Sequence, residues 1–226
     1  MRRKVIAIVV AVCVSIIGTA ATSYVLIKSA SAQSSNVKFL PIPAGEYRID
    51  PAHSVIGFSI KHNEIALVKG RFREFSGKIQ YDDKDLTKSS VEFTAKIESI
   101  NTGVDRRDAH LRTADFFDAA TYPEMTFKST RVEKKQNSEY VLHGDFTMRG
   151  VTKPVSLPFT LTGAIKDGQG NSRFGVAAQT IINRRDFGIT WGKTMENGGL
   201  DVGNEVMIDL QLEAVKPAPK PPATSN

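Results

Sequence analysis

The sequence predicts an all-β fold closed into a barrel, and three observations carry that expectation. Apolar residues recur at every second position in about eight or nine runs, spaced roughly ten residues apart. Clusters of Gly, Asn, Asp and Pro, residues suited to tight turns, separate the runs. A single long stretch, Ser99 to Ser129, interrupts the alternation. Sandwiches share this pattern, but an open sheet of such length leaves edges exposed, and closure removes them.

The first strand is expected around Tyr47–Asp50, ended by Pro51. In Ser54–His62, Ile56, Phe58 and Ile60 share one face by period two. Val68, Gly70 and Phe72 do the same. The parity then slips, and Phe75, Gly77, Ile79 and Tyr81 align instead. Such a slip predicts a bulge or a sharp bend, as barrels need where a strand turns a corner. Asp82–Asp85 is a polar turn, followed by a face of Val91, Phe93, Ala95 and Ile97. Beyond the interruption, Met125 and Phe127 resume the period. Leu142, Gly144, Phe146 and Met148 align next, with a turn at Arg149–Lys153. Val155, Leu157, Phe159, Leu161, Gly163 and Ile165 form the longest alternation. Asp167–Asn171 is a hairpin turn, because Gly and Asn tolerate positive φ. Phe174, Val176, Ala178, Thr180 and Ile182 return, and Val206, Ile208, Leu210 and Leu212 make the last strand. At about eight strands a barrel interior either fills with side chains or holds one small ligand. Small residues at Gly57, Gly70, Ala95, Gly144, Gly163 and Ala178 either leave room or fit the taper, and the sequence does not choose.

The interruption reads as a short amphipathic plug. Leu111, Ala114, Phe116 and Phe117 suit one or two helical turns around residues 105–118, with Thr102 or Asp105 as the N-cap. Tyr122-Pro123 stops any helix, since the residue before Pro is pushed to extended geometry. An apolar plug face must rest on something, so the segment is expected to lid or wall the barrel.

Residues 1–32 read as a secretory signal: Arg2, Arg3 and Lys4, then an apolar run of 23 residues from Val5 to Ile27, then Ala30-Ser31-Ala32 ahead of Gln33. The run is long enough to span a bilayer, so an inner-membrane tether through residues 5–27 is the competing reading. Gly18, Thr19, Thr22 and Ser23 weaken it as a span. Export places the protein in the periplasm or outside the cell. The lone cysteine, Cys13, lies in this segment, so disulfides and thiolate metal sites are excluded downstream. The formal charge of +6 is also inflated by the leader. Its four basic residues removed, 26 basic residues face 24 acidic ones, a balance of +2 that gives no argument for nucleic acid. Residues 33–44 are expected to be a linker, 45–215 the domain, and 216–226 a proline-rich flexible tail.

Several motifs, weak singly, occur in a specific order. They are Tyr47-x-Ile49-Asp50-Pro51-x-His53-Ser54, Gly70-x-Phe72-x-x-Phe75-x-Gly77, Arg107-Asp108-x-His110-Leu111 and Asp115-Phe116-Phe117-Asp118. Tyr122-Pro123-x-Met125-x-Phe127, the run Gly144–Val155 and Asp186-Phe187-Gly188-Ile189 complete the series. From about Tyr47 to Ala214 the chain resembles the YceI-like family. That resemblance implies an eight-stranded, antiparallel, lipocalin-like barrel. It also implies an apolar tunnel for a polyisoprenoid, such as an isoprenoid quinone or a prenyl phosphate, or for another long amphiphile, and no catalytic residues. Arg184-Arg185-Asp186-Phe187-Gly188 departs from the family's frequent Arg-Ser-Asp-Phe-Gly, which puts the polarity of the tunnel mouth in question.

The expected tunnel lining is Phe58, Ile60, Phe72, Phe93, Phe127, Phe146, Met148, Phe159 and Leu161, with Leu111, Phe116, Phe117 and Trp191 near an end. Arg106, Arg107, His110, Arg184 and Arg185 are candidates for a headgroup site, because guanidinium forks suit phosphate and carbonyl oxygens. The competing expectation pairs Arg107 or Arg185 with Asp108, Asp115 or Asp186. The histidines are scattered singles, and Asp105, Asp108 and His110 lack a recognised metal-ligand spacing, so no metal is expected. There is no G-x-S-x-G elbow and no glycine-rich phosphate loop, so the reading is a binding protein rather than an enzyme, with no cofactor. An envelope interaction or stress module working through its surface is the alternative class. Transient membrane contact and a homodimer stay open as partners.

Overall fold

The computed structural model describes residues 40–136 and 139–219. Among the described residues, eleven strands and one α-helix, with short 3-10 turns between them, make up the regular structure. They are β1 (Gly45–Ile49), β2 (Val55–His62), β3 (Ala66–Phe72), β4 (Phe75–Tyr81), β5 (Ser90–Lys96), β6 (Ile100–Asn101), α1 (Asp105–Arg112), β7 (Glu124–Lys134), β8 (Tyr140–Met148), β9 (Val151–Lys166), β10 (Ser172–Asn183) and β11 (Val202–Lys216). The leader expected at residues 1–32 lies outside the described residues, as do residues 33–39 of the linker and 220–226 of the tail.

Eleven segments make a closed antiparallel barrel of eight strands, because three pairs act as single bent strands. β11 closes the wall against β2 (Ile208 opposite Phe58) and against β1 (Ala214 opposite Ile49). β2 pairs with β3 and β1 with β4; β3 then pairs with β6 and β4 with β5. The composites β1/β2, β3/β4 and β5/β6 therefore run side by side and bend at one level. β7, β8, β9 and β10 complete the circuit.

Each bend has a local cause. Between β1 and β2, Pro51 opens a 3-10 turn, and the Asp50 carboxylate accepts the Ala52 N–H at 3.0 Å. Between β3 and β4, Arg73 N–H turns to the carbonyl and hydroxyl of Ser99. The parity slip thus marks a change of pairing partner rather than a bulge inside one ladder. A true bulge sits elsewhere. Gly175 opposes Gly163 while Val176 opposes Leu161, so Thr162 is the extra residue. This corrects the longest alternation: past the bulge, Ala164 turns inward and is buried, while Ile165 faces solvent at 52% exposure. The turn expected over five residues at 149–153 is also shorter. Arg149 and Gly150, at φ 52° and 72°, make the two-residue turn whose twist matches a hairpin, and β9 begins at Val151.

Two buried clusters fill the ends of the barrel. One is Tyr47, Ile49, Ile79, Ala164, Phe174 and Ala214. The other gathers Ile56, Phe72, Phe116, Met125, Phe146 and Phe187 with their neighbours below the helical insertion.

Candidate functional site

Between the two clusters the barrel is hollow. The cavity measures about 790 Å³, within the range of ~300–1,000 Å³ common for small-ligand sites. Its wall follows from period two, since inward positions on consecutive strands stack across the bore. All thirteen apolar residues expected at the tunnel line it: Phe58, Ile60, Phe72, Phe93, Leu111, Phe116, Phe117, Phe127, Phe146, Met148, Phe159, Leu161 and Trp191. Val206, Ile208, Leu210 and Leu212 of β11 also line it, as do Val176 and Ala178 of β10. Their alternation is readable in the sequence, on the faces of the last two strands. Among the residues missed are Leu86 and Ser89, which reach the bore from the turn between β4 and β5, and Lys61, His62, Val104 and Val202 at the insertion end.

The small inward residues divide between the two roles left open. A Cβ on Gly70 would meet the Phe58 ring at 2.4 Å, and one on Gly144 the Phe127 ring at 2.4 Å, so these glycines seat rings of the wall. Ala178 borders the hollow and leaves room. Gly57 shares the outward parity of Val55 and contributes only backbone.

The insertion walls one end. α1 covers residues 105–112 only, and turns carry the chain from Thr113 onward, so Phe116 and Phe117 lie outside the helix. The expected cap is also corrected. Val104 is the N-cap and has no side-chain hydrogen bond to give. Asp108, buried inside the first turn, accepts the Thr102 N–H at 2.9 Å and the Thr102 hydroxyl, and so ties the helix to the incoming loop. Arg107 donates to the Thr102 hydroxyl at 2.7 Å and its carbonyl at 2.9 Å. At the other end of α1, Arg112 donates to the carbonyls of Glu98 and Ile100. Arg149 bridges the β8–β9 turn to the carbonyls of Ala114 and Gly188. An aromatic stack completes the wall: His110 stands edge-on to Phe116 and to Trp191, each at 5.1 Å, and Phe116 lies 5.0 Å from Trp191.

The polar candidates separate here. Arg106, Arg107, His110 and Arg184 line the cavity. Arg185 does not: it points away and donates to the Asn204 side chain at 2.7 Å. Adjacent residues at the end of a strand cannot both face the bore, and the 3-10 turn Arg184–Phe187 sends the first inward. Arg184 is 3% exposed and donates to three backbone carbonyls: Gly203 at 2.8 Å, Ile189 at 2.9 Å and Val202 at 3.0 Å. Desolvation pushes its pKa down from the ordinary arginine value. The ion pairs expected for Arg107 or Arg185 with Asp108, Asp115 or Asp186 do not form among the described residues. His110 pairs with Asp115 at 2.8 Å instead. Asp108 is spent on Thr102, so the Asp105, Asp108 and His110 set has no common focus.

The opposite end is sealed. Tyr47, Tyr81 and Phe174 pack edge-to-face and tilted, with centroids 4.8 to 6.3 Å apart. Burial raises the Tyr81 phenol, which keeps that end of the lining neutral. Outside this seal, Arg173 gathers Asp50 (2.8 Å), Asp167 (2.7 Å) and Glu213. Asp50, His53 and Glu213 are near enough to one another to ligate a cation, but the guanidinium already occupies that role.

Residues 47–214 match the family model described as a YceI-like domain. A UPF0312 protein of Vibrio parahaemolyticus is 38% identical over 175 residues, covering 76% of this chain and 88% of that protein. A YceI protein of Campylobacter jejuni, known from its crystal structure, is 32% identical with a TM-score of 0.60, over 75% of this chain and 96% of that one. The fold is also shared with a polyisoprenoid-binding domain from Saccharophagus degradans implicated in plant cell wall breakdown. There the identity is 18% and the TM-score 0.56, over 77% of this chain and all of that one.

Proposed function

The chain belongs to the YceI-like family, and from that premise we propose that it is an exported binding protein. Its ligand is a polyisoprenoid, a quinone or a prenyl phosphate, or a similar long-chain amphiphile held in the barrel bore. The observation that carries this reading is the hollow itself: about 790 Å³ walled almost wholly by aliphatic and aromatic side chains. Empty, such a wall forfeits dispersion contacts on its inner side; a prenyl tail restores them and leaves water as it does so. At ~25 cal/mol per Å², several buried isoprene units contribute on the order of 10 kcal/mol before ordering costs are subtracted. The structural likeness to a polyisoprenoid-binding domain supports the same ligand class. Binding of this kind needs no reacting group, and the role is that of a carrier. The leader-like residues 1–32 support a periplasmic or secreted location.

Native mass spectrometry of the purified protein, paired with organic extraction, tests the ligand. A co-purifying amphiphile that rebinds the stripped protein at one per chain is the expected result. A stripped barrel that takes up neither prenyl quinones nor prenyl phosphates would sink the reading. Fractionation of the source cells tests the location, with recovery in the cytosol as the contrary outcome.

A further inference from the structure

We propose that the insertion end of the barrel docks on a phospholipid bilayer, with the β2–β3 tip set among the headgroups. Docking rests on the bore reading above for its purpose, since a bilayer is where a long-chain amphiphile resides. The tip reads Lys61-His62-Asn63-Glu64-Ile65-Ala66-Leu67, and Ile65, Ala66 and Leu67 are all exposed. Ile65 is 88% exposed and Leu67 57%. Single exposed apolar residues are ordinary on a protein surface, but three in succession are a liability unless something uses them. Neighbours in a strand point to opposite faces, so Ala66 and Leu67 both exposed means that the ribbon stands clear of the barrel wall there.

The tip is built to hold that shape. Asn63 and Glu64, at φ 50° and 59°, form a two-residue turn, and the Ile65 N–H donates to the His62 carbonyl at 3.2 Å. The connection after β10 braces it: Asn63 N–H donates to the Asp201 carbonyl at 2.9 Å, and Leu200 N–H to the Glu64 carboxylate at 3.4 Å. That connection also carries Trp191. On the other side, Leu67 shares an outer groove with Thr102 and Gly103, which lead to Val104. Val104 and Trp191 are both exposed and both line the bore. Apolar surface therefore continues from the tip, over the rim, into the cavity. A folded partner on this end would cap the mouth and close that route, whereas a bilayer supplies tails along it. Tryptophan is also at home at headgroup level, where one edge is wet and the other apolar.

Charge agrees and is secondary. The hairpin carries Lys61, Lys69 and Arg71 against Glu64. Elsewhere at this end the signs offset each other. Arg106 and Arg107 have Asp105 and Asp108 beside them in the first turn of α1. Arg184 has the Asp201 carboxylate acting on it, His110 pairs with Asp115, and Lys193 shares its connection with Glu196. The surplus of bases lies on the hairpin itself. An anionic leaflet adds attraction there to the apolar anchor, and salt weakens the addition.

Flotation of the purified exported protein with vesicles of phosphatidylethanolamine and phosphatidylglycerol tests the docking. Ile65→Asp combined with Leu67→Asp is expected to cut vesicle binding at least about tenfold, through loss of two inserted apolar side chains. Ile165→Asp, at an exposed apolar residue of the sealed end, is expected to leave it unchanged. Geranylgeraniol delivered on cyclodextrin is expected to bind the parent and the double variant equally, while its uptake from vesicles slows in the double variant by about the same factor. A parent that does not float, a double variant that floats like the parent, or an equal loss in Ile165→Asp overturns the docking. So does a parent dimer that the double variant turns into a monomer, because a second copy then covers the tip. If neither form takes up geranylgeraniol from cyclodextrin, the bore reading falls, and flotation still decides the docking.

Discussion

The two ends of this barrel are built from the same alternating wall and yet do opposite things. At one end Tyr47, Tyr81 and Phe174 pack together across the bore, and the Arg173 cluster clamps the strands outside them. At the other, the wall widens around a helical insertion, and the polar groups that face inward are basic. The sealed end spends its cation on three carboxylates of its own chain. The insertion end leaves Arg184 with carbonyls only. The contrast separates an end held by ion pairs from an end whose charged lining is basic.

The sharpest way to break that division is to fill the space between the ends. Leu210 lines the bore and is only partly buried. Leu210→Trp places a ring in that space. The expected outcome is loss of prenyl-ligand binding by about a hundredfold or more, which is ~2.7 kcal/mol, with a Tm within a few degrees of the parent. Unchanged binding would show that the tail lies elsewhere.

A smaller effect is expected at the insertion. Asp108→Ala removes the acceptor of the Thr102 N–H and hydroxyl. Leaving a buried donor unmet costs about 1–3 kcal/mol. Hydrogen exchange should then rise across residues 101–112 and stay unchanged in β9 and β10. A uniform rise would mean that the insertion is part of the barrel's own stability and not a separate wall.

The smallest effects belong to the clamp and depend on pH. The hydrogen bond from His53, and after it that from Arg173, hold the Asp50 carboxyl down to about 2. Asp167 is held well below the usual range, by Arg173 first and Asn171 next. Depressed carboxyl pKa values give stability that is present above the unfolded value near pH 4 and lost as pH falls toward 2. Arg173→Met should therefore lower Tm by roughly 4 °C at pH 7 and flatten the decline between pH 4 and 2. His53 has the opposite sign. Asp50 raises its pKa, so its contribution is present below the usual histidine value and fades as pH rises through the raised one. His53→Gln should remove that slight alkaline slope and, by releasing part of the hold on Asp50, also soften the decline below pH 4; an unaltered alkaline slope would place the coupling elsewhere.

Much of this was legible in the residues, and the losses have physical reasons. Phe58, Phe127 and Phe159 declared their face because a strand's period is two whatever its partner. Ile165 misled because a one-residue bulge at Thr162 inverts parity, and no side chain in Thr162-Gly163-Ala164 advertises the extra residue. The cap at α1 was misread because Thr102 and Asp105 are good cap residues by type. In the structure the roles reverse, and Asp108 serves Thr102. Arg184 and Arg185 looked equivalent in composition, and only the turn that follows β10 sends one into the bore and the other to Asn204.

By itself, then, the chain's order of apolar and turn residues determined an all-β wall of about eight or nine runs and the identity of most of its inner face, because those follow from local geometry repeated along each strand, while the count of eight antiparallel strands came from the family resemblance. Whether that wall would close on a solid interior or on a cavity was decided only by tertiary structure. The choice depends on how rings lie over glycines of the neighbouring strand, Phe58 over Gly70 and Phe127 over Gly144, folding back against the wall instead of meeting in the middle.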